Sequence, residues 1–137
     1  MMARFLDTNV LMRHFTNDDP TRAPHALALI ERIERGEEKV ITSMMIVFET
    51  VFLLERRYKV PKATIRELVW DVLSMRGVQL TGKSLCSQAF DLYVEKNISF
   101  ADAYSAVYMQ SRGIAEVYSW DADFDKVPGL SRIEPSQ

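Results

Sequence analysis

The sequence predicts an α/β protein: a three-layer α/β/α arrangement around a central, mainly parallel sheet of roughly four to five short strands. Three observations point there. Short apolar runs of strand length alternate with longer segments of helical period. Gly36, Pro61 and Gly113 stand at junctions between such segments, where glycine ends a helix and proline opens one. The 137 residues are enough for one domain with a real core and too few to expect two, so residues 1–137 read as a single domain.

Taken in order, Ala3 to Leu6 reads as a short buried strand that ends at Asp7-Thr8-Asn9, and Val10 to Phe15 continues as a short helix. Thr16 to Pro20 is polar and forms a loop. Thr21 to Arg35 is amphipathic, with Ala26, Leu27, Ile30 and Ile33 at helical spacing, and Gly36 stops it. Lys39 to Thr42 is a second strand. Ser43 then caps a helix from Met44 to Arg57. Its β-branched and aromatic residues would also permit a strand, but its length favours helix. Pro61 opens a further helix to about Met75, and Gly77 to Leu80 is a third strand. Ser84 to Glu95 and Ser99 to Arg112 are helices, the second ended by Gly113. Glu116 to Ser119 is a fourth strand, Trp120 to Lys126 turns, and Ser131 to Ile133 completes a short fifth.

Composition narrows the chemistry. With 47% hydrophobic and 26% charged residues the chain is globular, and no apolar run is long enough to span a membrane. Arg4 and Asp7 interrupt the N-terminal apolar stretch, so it does not read as a signal peptide, and the expected location is the cytoplasm. The single cysteine, Cys86, excludes an intrachain disulfide and a cysteine-built zinc site. His14 and His25 are the two histidines, too little for histidine-based metal chemistry. The net charge of −2 argues against a broad grip on duplex nucleic acid, which normally needs a basic face.

The acidic residues carry the functional signal. In a parallel sheet, ligands bind beyond the carboxyl ends of the strands, which is where Asp7 and Asp121 fall. Asp7 also suits a turn former or helix N-cap. Glu49 is the only charge between Met44 and Leu54, and a carboxylate buried there would need a partner, a proton or a metal; otherwise it faces water. Asp102 in Ser99-Phe100-Ala101-Asp102 fits a capping box, and it also fits a ligand at a buried helix start. Asp121-Ala122-Asp123-Phe124-Asp125 has the spacing of a calcium loop, but Lys126 replaces the required glycine and Arg132 the bidentate glutamate. Asp125 reads as part of a solvated turn.

The order of these motifs adds what no single acid supplies. An apolar strand before Asp7-Thr8-Asn9, Glu49 in an apolar helix, Ser99-Phe100-Ala101-Asp102-Ala103, and Tyr118-Ser119-Trp120-Asp121 before Asp123-Phe124 together resemble the PIN-domain ribonucleases. More narrowly, the chain looks like the VapC-type toxins of toxin–antitoxin pairs. The resemblance covers nearly the whole chain. It implies a PIN-like fold and an endoribonuclease whose acidic cluster falls on Asp7, Glu49, Asp102 and Asp121. It also implies supporting roles for Asn9 and Ser119, and an acid at Asp123 that supplements or replaces Asp121. Trp120, a large residue between Ser119 and Asp121, departs from the pattern. The implied partners are an RNA substrate, a cognate antitoxin seated in an apolar groove, and a second copy in a homodimer.

Carboxylates crowded in one pocket need a cation, and oxygen-only ligands favour Mg²⁺ or Mn²⁺ over zinc. Asp7 and Asp102 are the first expected ligands, with Glu49 and Asp121 acting through water or completing a second site. Such an ion activates water for attack on a phosphodiester, and one ion or two is left open. Arg13, Arg22, Arg56 and Arg57 are candidate RNA contacts, each also explicable as a solvated helix face. Three other classes fit less well. A haloacid-dehalogenase-like phosphatase wants an aspartate at Asn9. A flap-type nuclease wants a longer chain with an arch. A non-catalytic PIN module would not need all four acids.

Overall fold

The computed structural model describes residues 2–136 and divides into two compact units, residues 1–83 and 84–137. The first contains β1 (Arg4–Phe5), α1 (Thr8–Phe15), α2 (Ala23–Glu34), β2 (Val40–Thr42), α3 (Met44–Arg56), α4 (Lys62–Leu73) and β3 (Val78–Leu80). Its sheet has the order β1-β2-β3 and is parallel throughout, with Phe5 opposite Ile41 and Ile41 opposite Gln79. The second contains α5 (Lys83–Glu95), α6 (Phe100–Ser111), β4 (Glu116–Tyr118), a 3-10 helix (Ala122–Lys126) and β5 (Ser131–Ile133), with β4 parallel to β5. The α/β class is as predicted, and all five strands are present. Their hydrogen bonds join them as a set of three and a set of two.

In the first unit the period-2 rule decides which side chains enter the core. Val40, Thr42, Val78 and Leu80 point to one face and are buried, whereas Phe5 and Ile41 on the other are 58% and 41% exposed. Ala3 to Leu6 is therefore not a wholly buried strand: only Leu6, at its end, is enclosed. Leu6 is fastened twice, by its N–H to the Ile41 carbonyl at 2.8 Å and by its own carbonyl, which accepts from Thr42 Oγ1 at 3.0 Å. That clamp sets the point at which the chain leaves the sheet at Asp7.

The helix boundaries follow local chemistry. The first helix begins at Thr8 rather than Val10, because the extended Asp7 (φ −92°, ψ 160°) turns its carbonyl to the Val10 and Leu11 amides. Gly36, at φ 78°, ends α2 as expected, and Glu37 N–H reaches back to the Arg32 carbonyl. A methyl at Gly77 would meet the Glu38 carbonyl oxygen at 2.9 Å, so the approach to β3 requires glycine. The choice of helix for Met44 onward is correct: Ile46, Val47, Thr50, Val51 and Leu54 form a buried stripe.

The second unit is built on aromatic packing. Phe90 and Tyr93 of α5 surround Phe100 at the start of α6, with ring centroids 4.7 and 5.6 Å from it and the Tyr93 ring edge-on at 88°. Phe90 and Tyr93 are essentially inaccessible to solvent. The crossover from β4 to β5 takes about a dozen residues, near the minimum for a parallel pair. It is pinned by buried Phe124 and Val127. Among the described residues no helix is long and apolar enough to cross a membrane.

Because Phe90 is fully buried in the aromatic cluster that anchors α6, Phe90→Ala is expected to destabilise the protein by about 3–5 kcal/mol. Urea denaturation measures this. A loss below about 1 kcal/mol would show that the aromatic cluster is not a core element.

Candidate metal centre

Helix α6 starts where its sequence says it should. Ser99 is extended (φ −62°, ψ 152°), and its Oγ accepts from the Asp102 N–H at 3.1 Å. Asp102 thus lies in the first turn, where the helix dipole favours a negative charge. Behind it, Ala103, Ala106 and Val107 are buried, and Asp102 itself is half-buried. The capping reading is therefore correct for the backbone, and the Asp102 carboxylate hydrogen-bonds with Ser99 and with one further partner.

That partner arrives from the end of β4. The strand's ladder extends one step, with the Ser119 N–H donating to the Ile133 carbonyl at 3.1 Å. Ser119 Oγ then accepts from the Asp121 N–H at 2.9 Å, and Asp121 Oδ1 accepts from the Asp123 N–H at 2.9 Å, capping the 3-10 helix. These short-range bonds hold the loop so that carboxylate oxygens of Asp102, Asp121 and Asp123 all lie within 4.8 Å of one another. Ser119 accordingly orients the backbone of Asp121, two residues on.

Three carboxylates so close perturb each other. Burial raises the Asp102 pKa, and a hydrogen bond and repulsion from Asp121 raise it further, to about 6. Asp121 moves the other way. The Asp123 N–H, the hydrogen bond with Asp102, and the cations Arg132 and Lys126 all favour its charged form. The pair therefore takes up its first proton on Asp102, as pH falls through about 6. The donor set, carboxylate oxygens with surplus negative charge, fits a hard divalent ion such as Mg²⁺ or Mn²⁺.

Two cations here were not foreseen as site residues. Arg132 reaches Asp125 through Nε and Nη2, both at 3.1 Å, and its Nη1 bonds the Ser119 carbonyl at 3.3 Å and Glu134 at 2.8 Å. Asp125 is therefore the paired anchor of this arginine rather than a merely solvated residue. Lys126 Nζ lies 3.5 Å from Asp123. No sequence spacing announces the Arg132 contacts, because they depend on β5 pairing beside β4.

The other expected site residues belong to the first unit and are not members of this trio. Asp7 is the N-cap of α1, but its side chain makes no capping hydrogen bond, so the structural alternative for its carboxylate is not realised. Asp7 and Asn9 are exposed. Glu49 is exposed on α3 between Met45 and Phe52, themselves 76% and 61% exposed, so it faces water rather than the core. Among the candidate RNA contacts, Arg13 pairs with Asp18 and Asp19, and Arg22 with Asp19. Arg56 and Arg57 lie over the rings of Phe52 and Tyr58.

A carboxylate cluster beyond the end of a strand in a parallel α/β chain is an arrangement that can hold a divalent cation. The family follows from comparison: the PIN domain model matches residues 4–130, and the chain belongs to the PIN-domain family. It is similar to a VapC ribonuclease from Aquifex aeolicus, with 26% identity over 132 residues and 96% of each chain covered. It is also similar to the crystal structure of VapC20 from Mycobacterium tuberculosis, described as a sarcin-ricin loop cleaving toxin. There the identity is 25%, covering 97% of this chain and 100% of that one, with a TM-score of 0.42.

The raised Asp102 pKa has a defined consequence for stability. Its folded value of about 6 exceeds the ordinary 3.8, so the folded protein holds this proton more tightly than the unfolded chain. The stabilisation is full below the unfolded value and is lost as pH rises through the folded one. A divalent ion held by these carboxylates would compete with that proton. Mg²⁺ or Mn²⁺ is expected to raise the melting temperature clearly at about pH 7.5 and much less at about pH 5, with Asp102→Asn removing most of the difference. Equal shifts at both pH values in both proteins would place the ion elsewhere.

Proposed function

We propose that this chain is a divalent-metal-dependent endoribonuclease of the VapC type, the toxic member of a toxin–antitoxin pair. The observation that carries the reading is the approach of Asp102, Asp121 and Asp123 to within 4.8 Å in a chain of the PIN-domain family. The similarity to a VapC ribonuclease along nearly the full length of both chains supports it. The family model spans both compact units, which supports treating residues 1–137 as one domain.

In this reading Asp102 and Asp121 are ligands, with Asp123 sharing the place of Asp121, and Asp7 and Glu49 complete the acidic set. Asn9 and Ser119 are supporting residues. Bound there, Mg²⁺ or Mn²⁺ supplies the positive charge that polarises a phosphodiester and makes water acidic enough to attack it. The protein's own contribution is placement. The Ser99 cap sets Asp102, the Ser119 and Asp123 bonds set Asp121, and Arg132 holds the carbonyl of Ser119. Asp102, with its pKa pushed up to about 6, is mostly ionised near neutrality and would be available there to a cation. A cognate antitoxin blocks the acids, the chain forms a homodimer, and the site of action is the cytoplasm.

Cleavage of total RNA with Mg²⁺ or Mn²⁺ tests the reading. Wild type is expected to cut, and Asp102→Asn, Asp121→Asn and Asp7→Asn to lose on the order of a hundredfold or more. Growth arrest on expression should disappear with the same variants. If all the proteins cut equally, the acids are not the catalytic set. If none cuts while the folded chain still binds an antitoxin, the chain is a non-catalytic PIN module.

A further inference from the structure

Helices α1 and α2 pack side by side in the first unit and leave a cleft of about 240 Å³. Its apolar lining is Val10 from α1 with Ala26 and Leu29 from α2, all buried or half-buried. Its polar lining is Asn9 and Arg13 from α1 with Arg22 and His25 at the start of α2. Asn9 and Arg13 are one turn apart, as are His25 and Leu29, so each pair shares a helix face. Pockets that enclose a drug-sized ligand run to roughly 300–1,000 Å³, so this cleft takes a smaller group.

Among the described residues no acid lines the cleft, although acids hold both of its arginines. Arg13 Nη1 donates to Asp18 at 3.2 Å, and Arg13 Nε lies 3.5 Å from Asp19. Asp18 is itself fixed, accepting from the Tyr58 hydroxyl and from Thr16 Oγ1 at 2.8 Å. Those bonds hold its carboxyl below the usual range, so it stays charged and keeps the guanidinium in place. A guanidinium carries five N–H donors. Asp18 engages Nη1, and the enclosed Nε makes no hydrogen bond, so Arg13 has donors left for a ligand. The Arg22 side chain is 75% exposed, and its ion pair with Asp19, at 3.8 Å, is too long for a hydrogen bond.

Two guanidinium forks with donors to spare match the several oxygens of a phosphate better than a single carboxylate. The apolar wall suits the sugar that a phosphate ester carries.

We propose that the α1–α2 cleft is a phosphate subsite, with Arg13 and Arg22 gripping the phosphate oxygens and Asn9 and His25 completing the ring of polar groups. The phosphate belongs either to an RNA backbone or to a free nucleotide. The first source rests on the ribonuclease reading and deepens it, since Asn9 stands two residues after Asp7. The subsite itself does not depend on cleavage.

Binding to the full chain, measured in EDTA so that no cleavage intervenes, tests this. The probes are inorganic phosphate, adenosine monophosphate and a short oligoribonucleotide. Arg22 is exposed, so Arg22→Ala leaves the packing intact. It is expected to weaken the bound probe about tenfold. With the oligonucleotide it should also flatten the slope of log affinity against log salt by about 0.7, the mark of one lost phosphate contact. Arg22→Lys should recover the slope and only part of the affinity, and His25→Ala should show a smaller loss. Binding of the oligonucleotide assigns the phosphate to RNA; binding of the mononucleotide or phosphate alone assigns it to a free ligand. Equal affinity and slope for wild type and Arg22→Ala, no binding of any probe, or preference for a glutamate peptide over all three would overturn the proposal. A chain that binds these probes in this way but cuts no RNA keeps the subsite and loses only the catalytic reading.

Discussion

Repulsion among Asp102, Asp121 and Asp123 is the constraint around which the second unit is organised. Carboxylates brought within 4.8 Å would separate unless something held their backbones or neutralised their charge. The structure does some of each. The Asp123 amide on Asp121 and the side chains of Arg132 and Lys126 offset part of the charge, and below about pH 6 a proton on Asp102 adds to this. What remains is a surplus of negative charge that a divalent cation would neutralise. A site already relaxed to neutrality would have little affinity for one.

Holding the acids in place falls to groups that have no chemistry of their own. The rings of Phe90, Tyr93 and Phe100 fix the first turn of α6 and with it Asp102. The Arg132 guanidinium grips Asp125 with two nitrogens and the Ser119 carbonyl with a third, fastening the loop to β5. Planar, always-charged arginine suits this role better than lysine, because its fork matches the carboxylate. In the first unit the clamp of Thr42 on Leu6 performs the corresponding task for Asp7.

The acids differ in how far local sequence could describe them. Asp102 could be placed to the residue, since Ser99-Phe100-Ala101-Asp102 is a short-range capping pattern and the cap forms. Asp7 was ambiguous from sequence because an aspartate after a strand serves equally as a cap. Its side chain makes no such bond, which leaves the carboxylate available. Glu49 was read from the apolar residues around it, and of the two environments left open, buried or facing water, the structure has the second. Those residues split between a buried stripe and exposed Met45 and Phe52, and Glu49 lies on the exposed side. A helix can be apolar on two sides, so composition alone does not tell which side a charge takes.

The sequence by itself determined the α/β class, the order of the elements, the caps at Ser43 and Ser99, the stop at Gly36 and the candidate acids, all of which depend on contacts within a few residues. Tertiary structure alone decided that β4 pairs with β5, and hence that Arg132 reaches Asp125 and Ser119. It also decided that Asp123 joins Asp102 and Asp121 in one cluster. Pairings between distant strands arise from burial and backbone hydrogen bonding summed over whole elements, and no short motif encodes them.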